Sequence, residues 1–414
     1  MGRRSLALAG IVVVVAACSA TPAVSPSPTP SAAASASPSP IVSRSPAPSP
    51  TASASASASL TPALGGGLLF LRSTPQEFDG PAPQSAEIVP AAGGPPVILG
   101  SAIDAMWAAD GRSVHLVSQD EGCVPSLTTV SPDGVALAAV RDGLKEQDSG
   151  FAWSPDGEQV AFLRFHNGAP PRSCGSQGGT YSGDDVVQDV ILMDADGTGQ
   201  HILVSMVDPS RPLAWSPDGS LLLVPNAAPS RTIDALDTLL VNPADGAQTT
   251  LEGLSFIDMS SPRWSPDGSR LACTLFRDGK RAIGVISIAD RTRADFGAAD
   301  PRTHEPSWSP DGASIAAAFD LVQPDGSYVA GDIAIRAVDG TGRRALGLTD
   351  VQVFAERPSW SPDGTRLAYV AAGTDGDGFG GIALVGSDGR NRTEVSGTEG
   401  AQWVIWQPAR GADQ

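Results

Sequence analysis

Short apolar runs recur along the chain, each fenced by Ser, Pro, Asp and Gly: Val160-Ala161-Phe162-Leu163, Leu221-Leu222-Leu223-Val224, Leu271-Ala272-Cys273-Thr274, Ile315-Ala316-Ala317-Ala318 and Leu367-Ala368-Tyr369-Val370. Runs this short, bounded this closely by turn residues, predict buried strands rather than helices. A second apolar run follows in each unit and ends in a polar turn, as in Val190 to Gly197, Ile333 to Gly340 and Ile382 to Gly389. In front of each first run stands Trp-Ser-Pro-Asp-Gly, intact at 153–157, 215–219, 264–268, 308–312 and 360–364. Pro sets φ for the second position of a tight turn, Asp suits the third, and Gly accepts the left-handed exit. The phrase is therefore a hairpin turn between a strand ending in Trp and the apolar strand that follows.

Two worn copies, Trp107-Ala108-Ala109-Asp110-Gly111 and Trp406-Gln407-Pro408, extend the series, so Trp107, Trp153, Trp215, Trp264, Trp308, Trp360 and Trp406 recur at steps of 44 to 62 residues. A repeat of that length built from four-stranded meanders predicts an all-β fold, a β-propeller of four-stranded blades. Each repeated Trp is expected to fill the seam between neighbouring blades. Ser131-Pro132-Asp133-Gly134 lacks the Trp and is expected to join a third strand to a fourth. At the N-terminal end Leu68-Leu69-Phe70-Leu71 lacks a preceding Trp strand, and at the C-terminal end Trp403-Val404-Ile405-Trp406 lacks the strands that should follow. Each end supplies what the other lacks. The two termini are expected to complete one blade, giving seven, with six as the alternative.

Ahead of the repeats, residues 1–17 read as an export signal, with Arg3 and Arg4 before an apolar run from Leu6 to Ala17. That run is shorter than the ~20 residues a membrane-spanning helix needs. Val15-Ala16-Ala17-Cys18 resembles the lipobox of bacterial lipoproteins, which implies lipidation of Cys18; an ordinary signal peptide with an incidental Cys is the alternative. Residues 18–63 are almost wholly Ser, Thr, Pro and Ala and are expected to form a disordered tether. The propeller is expected over 64–408, with a disordered tail at 409–414.

The chain has 27 basic and 45 acidic residues, and setting aside Arg3, Arg4 and Arg44 leaves 24 basic residues for the rest. This acidity argues against nucleic acid as a partner and leaves the lipid anchor as the one expected membrane contact. Of four Cys, Cys273 falls on an apolar strand and reads as a small buried hydrophobe, while Cys123 and Cys174 occupy loops of consecutive units. An oxidising compartment allows those two to form a disulfide; two free thiols are the alternative. The four His have no ligand spacing, the Asp-Gly turns lack a calcium-loop frame, and no Gly-x-Ser-x-Gly nucleophile elbow is present, so no metal, cofactor or catalytic residue is expected.

In a four-stranded meander the second-to-third loops and the connections between units share one face, which here carries the length variation around 72–85, 119–125, 166–185, 226–237 and 371–380. Variable loops on a rigid scaffold are where binding surfaces lie. Residues just before each Trp should ring the channel mouth on that face: Asp104, Asp148, Arg211, Arg263, His304, Glu305, Glu356, Arg357 and Glu399. The candidate ligand-binding set is Arg211, Arg263, His304, Glu305, Glu356 and Arg357.

The repeated Trp-Ser-Pro-Asp-Gly, followed by two apolar strands and an Asp-Gly turn, resembles the TolB-like propeller repeat over most of residues 68–407. The resemblance implies a periplasmic or surface-exposed β-propeller that binds other envelope components. TolB proteins usually place six blades behind a separate α/β domain, whereas this sequence shows seven units, a lipobox and a tether. Similar repeats also form the propellers of prolyl-oligopeptidase-type enzymes, whose hydrolase half finds no counterpart in this sequence. The expectation is a lipid-anchored, extracytoplasmic, monomeric propeller acting as a scaffold for an envelope protein, peptide or glycan. Its rivals are a lyase or glycosidase using Glu305, Glu356 or His304, and a surface spacer without a ligand. If Cys18 is the lipidated residue, Cys18→Ala abolishes incorporation of labelled fatty acid and moves the protein from the membrane to the soluble fraction. Unchanged labelling would assign the lipid elsewhere.

Overall fold

The computed structural model describes residues 66–73, 84–120, 122–146, 148–166, 188–207, 213–225, 237–255, 259–277, 280–296, 303–322, 328–348, 353–373 and 380–409. The chain divides into Met1–Ser59 and Leu60–Gln414. The first unit, with the export signal, Cys18 and most of the tether, lies outside the described residues, as do Cys174 and Arg211.

In chain order the strands are β1 (Gly67–Ser73), β2 (Gln84–Pro90) and β3 (Val97–Ser101); then β4 (Asp104–Trp107), β5 (Val114–Gln119), β6 (Pro125–Val130) and β7 (Ala136–Val140). Next come β8 (Ser149–Trp153), β9 (Gln159–Phe165), β10 (Gln188–Asp194) and β11 (His201–Val207), followed by β12 (Ala214–Trp215), β13 (Leu222–Pro225), β14 (Asp237–Val241) and β15 (Gln248–Ser255). The third group is β16 (Met259–Trp264), β17 (Arg270–Arg277), β18 (Lys280–Ser287) and β19 (Arg293–Phe296), then β20 (Thr303–Trp308), β21 (Ser314–Val322), β22 (Tyr328–Ala337) and β23 (Arg344–Ala345). The last five are β24 (Val353–Trp360), β25 (Arg366–Gly373), β26 (Gly380–Gly386), β27 (Thr393–Val395) and β28 (Ala401–Trp406).

Five four-stranded sheets, β4 to β7, β8 to β11, β12 to β15, β16 to β19 and β20 to β23, and one eight-stranded sheet contain these strands. The larger sheet consists of two four-stranded sets, β24 to β27 and β28-β1-β2-β3, joined by a single pair, Gly380 with Ala401. The join arises where the chain passes from β27 to β28 over the end of β26, held by buried Thr398, whose Oγ1 accepts the Ile382 N–H at 2.8 Å. β28 pairs antiparallel with β1, Leu68 opposite Trp406 and Phe70 opposite Val404, so the two ends of the repeat region build one set together. Ser131–Gly134 joins β6 to β7, the third and fourth strands of their sheet.

The core lies between sets rather than inside one. Seven apolar clusters each span two successive sets and take in one repeated Trp: Trp215 packs with Leu163 and Leu192 of the preceding set, Trp308 with Ala272 and Val285, and Trp406 with Ala368 and Val370. The last pair closes the series on itself. A ring of this size buries roughly 150–250 Å². It is also stitched by a hydrogen bond: the indole N–H of Trp215 donates to the Ala152 carbonyl at 2.9 Å, Trp264 to Ala214 at 3.1 Å, Trp308 to Arg263 at 2.9 Å and Trp360 to Ser307 at 3.2 Å. In every case the acceptor is the residue just before the Trp of the preceding set. Trp107 makes the same contact with Ile405 at 3.4 Å.

Two seams differ. Trp153 stacks on buried His115, ring centroids 4.8 Å apart, and burial lowers the imidazole pKa to about 4 against the opposing charge of Asp110. Among the described residues the buried indole nitrogen of Trp406 has no hydrogen-bond partner, while Arg366 lies over its ring at 5.2 Å.

The Ser-Pro-Asp-Gly turns repeat one geometry. In 309–312 the Gly312 N–H donates to the Ser309 carbonyl at 2.9 Å, the Ser309 hydroxyl to Asp311 at 2.5 Å, and the Ala313 N–H to the same carboxylate at 3.0 Å. Gly312 has φ 66°, a left-handed conformation that suits glycine, and a side chain there would meet the Pro266 ring of the preceding turn. The five turn carboxylates, Asp156, Asp218, Asp267, Asp311 and Asp363, are all held below the usual range, first by the Ser hydroxyl, with Asp267 down to about 2. Cys273 is fully buried, as its apolar strand implied.

The stitch makes Trp215→Phe informative. The smaller ring keeps most of the packing but removes the indole donor, while the Ala152 carbonyl keeps its ladder partner on β9, a loss of about 0.5–1.5 kcal/mol. Trp215→Ala adds a cavity and costs about 3–5 kcal/mol. Urea unfolding of the two variants should order them this way; equal stability of Trp215→Phe and wild type would deny the hydrogen bond any role.

Candidate functional site at the channel mouth

The first strands of successive sets contact one another, β8 with β12, β12 with β16, β16 with β20, β20 with β24 and β24 with β28, which places them on the inner wall. Four of these strands carry a bulge shortly before the Trp, between Ser149 and Ala152, Ser260 and Arg263, His304 and Ser307, and Glu356 and Ser359. A bulge re-aims the side chains beside it. At three of them the residue three before the Trp takes positive φ: Gly150 at 63°, Glu305 at 54° and Arg357 at 53°. For Glu and Arg this conformation is uncommon, and such outliers cluster at functional sites.

The bulges bring five of the six candidate residues into one electrostatic cluster. Glu305 reaches across to the next set, its carboxylate accepting the Arg357 backbone N–H at 2.9 Å and Nε at 3.2 Å. Its own N–H donates to Thr274 Oγ1 of the preceding set at 3.1 Å, and Arg357 Nη1 donates onward to the Gln402 carbonyl at 2.7 Å. Thr274, Glu305, Arg357 and Gln402 thus clasp four consecutive sets along the wall.

Beside the clasp, His304 Nε2 bonds Asp320 at 3.2 Å and Nδ1 lies 3.7 Å from Glu305. Burial alone would lower this imidazole, but the bonds to Asp320 and Glu305 outweigh it and raise the pKa to about 9, so His304 is a cation at neutral pH. Burial pushes the Glu305 carboxyl up, and His304 and Arg357 together bring it below its ordinary value.

Two members of the cluster are not satisfied in this way. The carboxylate of Glu356, half-buried, makes no hydrogen bond among the described residues, and desolvation followed by repulsion from Glu305 raises its pKa. Arg263 is solvent-exposed; among the described residues its side chain makes one hydrogen bond, to the Pro262 carbonyl at 3.1 Å, and desolvation lowers its pKa against the pull of Glu305.

The remaining expected mouth residues divide. Asp104 is exposed on β4, its pKa raised by surrounding protein. Glu399 is exposed, and its carbonyl accepts a bond from Arg72. Asp148 does not face the channel as an open carboxylate: it is buried, chelated by Arg164 at 2.6 and 2.9 Å and by the Lys145 N–H at 2.8 Å. Arg211 lies outside the described residues. Cys123 is buried at φ 61° in the β5–β6 loop and is disulfide-bonded; its expected partner Cys174 lies outside the described residues. Asp320 was not among the expected site residues, although a carboxylate inside the apolar run 314–322 was a readable signal. Thr274 and Gln402 carried no such mark.

No protein-family model matches the chain. It is 32% identical over 118 residues to a TolB homologue of Chlorobium luteolum, covering 27% of this chain and 23% of that protein, so the match spans about a quarter of the relative's length. An oligogalacturonate lyase from Vibrio parahaemolyticus superposes with a TM-score of 0.53 at 14% identity over 71% of this chain and 81% of its own. TolB from Acinetobacter baumannii gives a TM-score of 0.46 at 16% identity over 82% of each chain. At these identities the structural likeness is one of fold.

The His304–Asp320 contact has a measurable consequence. A folded-state pKa of about 9 against an ordinary 6.5 means this group's contribution to stability is fully present below pH 6.5 and is lost as pH rises through about 9. NMR titration should find His304 charged at pH 7, and Asp320→Asn should lower its pKa and flatten the alkaline fall in stability. An imidazole that titrates near 6.5 in the wild type would contradict the contact.

Proposed function

We propose that this β-propeller, with repeats similar to those of a TolB homologue, is an extracytoplasmic module of the bacterial envelope, anchored through Cys18, that binds an envelope protein or glycan at its channel mouth without catalysis of its own. The observation that carries the reading is the state of Arg263 and Glu356: two charged groups on the inner wall without, among the described residues, a partner of opposite charge in hydrogen-bond contact, beside a clasp that is otherwise closed on itself. The repeated residues are all absorbed by turns and seams, which leaves recognition to this wall and the loops above it. The export signal, lipobox and tether support the location.

An enzymatic reading draws on one observation, the raised pKa of Glu356, which suits a general acid. Against it, Glu305 is engaged by Arg357 and His304 and is held in its charged form, leaving no second free carboxylate beside Glu356 in this cluster.

The test compares recovery of cross-linked envelope components by the full chain, by the rim variant Arg263→Glu/Glu356→Lys, and by Glu158→Lys on the opposite face. The rim variant should lose at least about ten-fold in recovery, equivalent to about 1.4 kcal/mol, while Glu158→Lys retains it. Full recovery by the rim variant would place binding elsewhere. Turnover of any substrate in a broad panel that Glu356→Gln abolishes would replace the binding module with an enzyme.

A further inference from the structure

Seven of the eight tryptophans serve the seams; Trp403 does not belong to the repeat. It lies on β28, on the inner wall, three residues before Trp406, the register that Asp104, Glu305 and Arg357 hold before their own Trp residues. Trp403 is half-buried: it packs against the apolar cluster that contains Leu69, Leu71, Ala102 and Ala105, and part of its surface stays open. Arg357 reaches the carbonyl of Gln402, the neighbour of Trp403, at 2.7 Å, and exposed Asp104 precedes Ala105 of the same cluster on β4. The wall therefore carries an indole in the set next to that of Arg357, and continues through Glu356 and His304 to Arg263.

Three features of this wall select among ligands. Donors (Arg263, His304, Arg357) and acceptors (Asp104, Glu356) are interspersed, so a ligand of either charge meets repulsion from part of it, whereas a hydroxyl group both donates and accepts. A half-exposed indole offers an apolar face to the C–H face of a sugar ring while its buried part fixes the orientation. Finally, bulges interrupt the free edges of β8, β16, β20 and β24 at this height, so an extended peptide finds no continuous ladder to join.

We infer that the channel mouth takes a neutral oligosaccharide, with Trp403 as the stacking platform and Glu356, Arg263 and Asp104 as hydrogen-bonding partners for its hydroxyls. The inference rests on the binding-module reading and narrows it to one ligand class.

Titration of the full chain with N-acetylchitotetraose, cellotetraose and maltotetraose, against anionic tetragalacturonate and cationic chitosan tetramer, tests it by calorimetry and tryptophan fluorescence. At least one neutral probe should bind, with affinity changing less than about two-fold between low and high salt because no ion pair is screened. Trp403→Ala should weaken it by about ten-fold or more, and Trp403→Phe, which keeps a flat ring and most of the packing, by about three-fold. If the Ala variant does not fold, Trp403→Phe and Asp104→Asn decide, each expected to weaken binding at unchanged melting temperature. Binding of none of the neutral probes, or of charged probes alone, overturns the ligand class; recovery of an envelope protein that still depends on Arg263 and Glu356 would then leave the binding module standing. Neutral-probe affinity unchanged in both Trp403 variants overturns the platform.

Discussion

One contact recurs around the molecule and the rest of the architecture depends on it: an indole N–H reaching back to the carbonyl of the residue just before the Trp of the preceding set. Trp215, Trp264, Trp308 and Trp360 repeat it within 3.2 Å, and Trp107 at 3.4 Å. The contact combines burial of a large ring with satisfaction of a polar atom that the seam would otherwise strand. Because donor and acceptor belong to different sets, it fixes how far each sheet is rotated and raised against the last. The turns beneath follow the same rule, each Gly lying against the Pro of the turn before it at positions 219, 268, 312 and 364.

A wall positioned so regularly is where irregularity becomes informative. Where bulges lift residues out of the seam pattern, the side chains are Glu305 and Arg357 in a backbone conformation that glycine would adopt more easily. Much of the resulting charge is consumed internally. Glu305 joins Arg357 and His304 and the clasp runs from Thr274 to Gln402, so these groups first hold the inner wall together. On the proposed reading, recognition falls to what the clasp leaves over, Arg263, Glu356 and the open part of Trp403.

The closing set differs from the others because it is built from both ends of the repeat region. β28 pairs with β1, and Gln407 ties the join further: its amide oxygen accepts the Gly67 N–H at 3.0 Å and its amide nitrogen donates to the Gly111 carbonyl at 2.6 Å. The second worn copy of the turn phrase, Trp406-Gln407-Pro408, thus trades a tight turn for a side chain that bridges two sets. The same seam carries the buried Trp406 nitrogen, without a hydrogen-bond partner among the described residues.

The repeat itself decided the strands, the turns, the seam role of each Trp and the meeting of the two termini, because turn chemistry and apolar period act over a few residues and leave a local mark. The placement of Ser131–Gly134 between third and fourth strands followed from its missing Trp and its position between Trp107 and Trp153. Sequence also singled out Arg263, His304, Glu305, Glu356 and Arg357, one to four residues before a Trp, and the structure brings these five into one electrostatic cluster. It did not reveal that Asp148 is buried against Arg164, that Asp320 holds His304, or that Glu305 is spent on Arg357. Those outcomes join residues 16 to 52 positions apart through strand register and a one-residue bulge. A shift of one residue in register sends a side chain to the opposite face, so only the assembled sheets could decide which charges meet and which are left open.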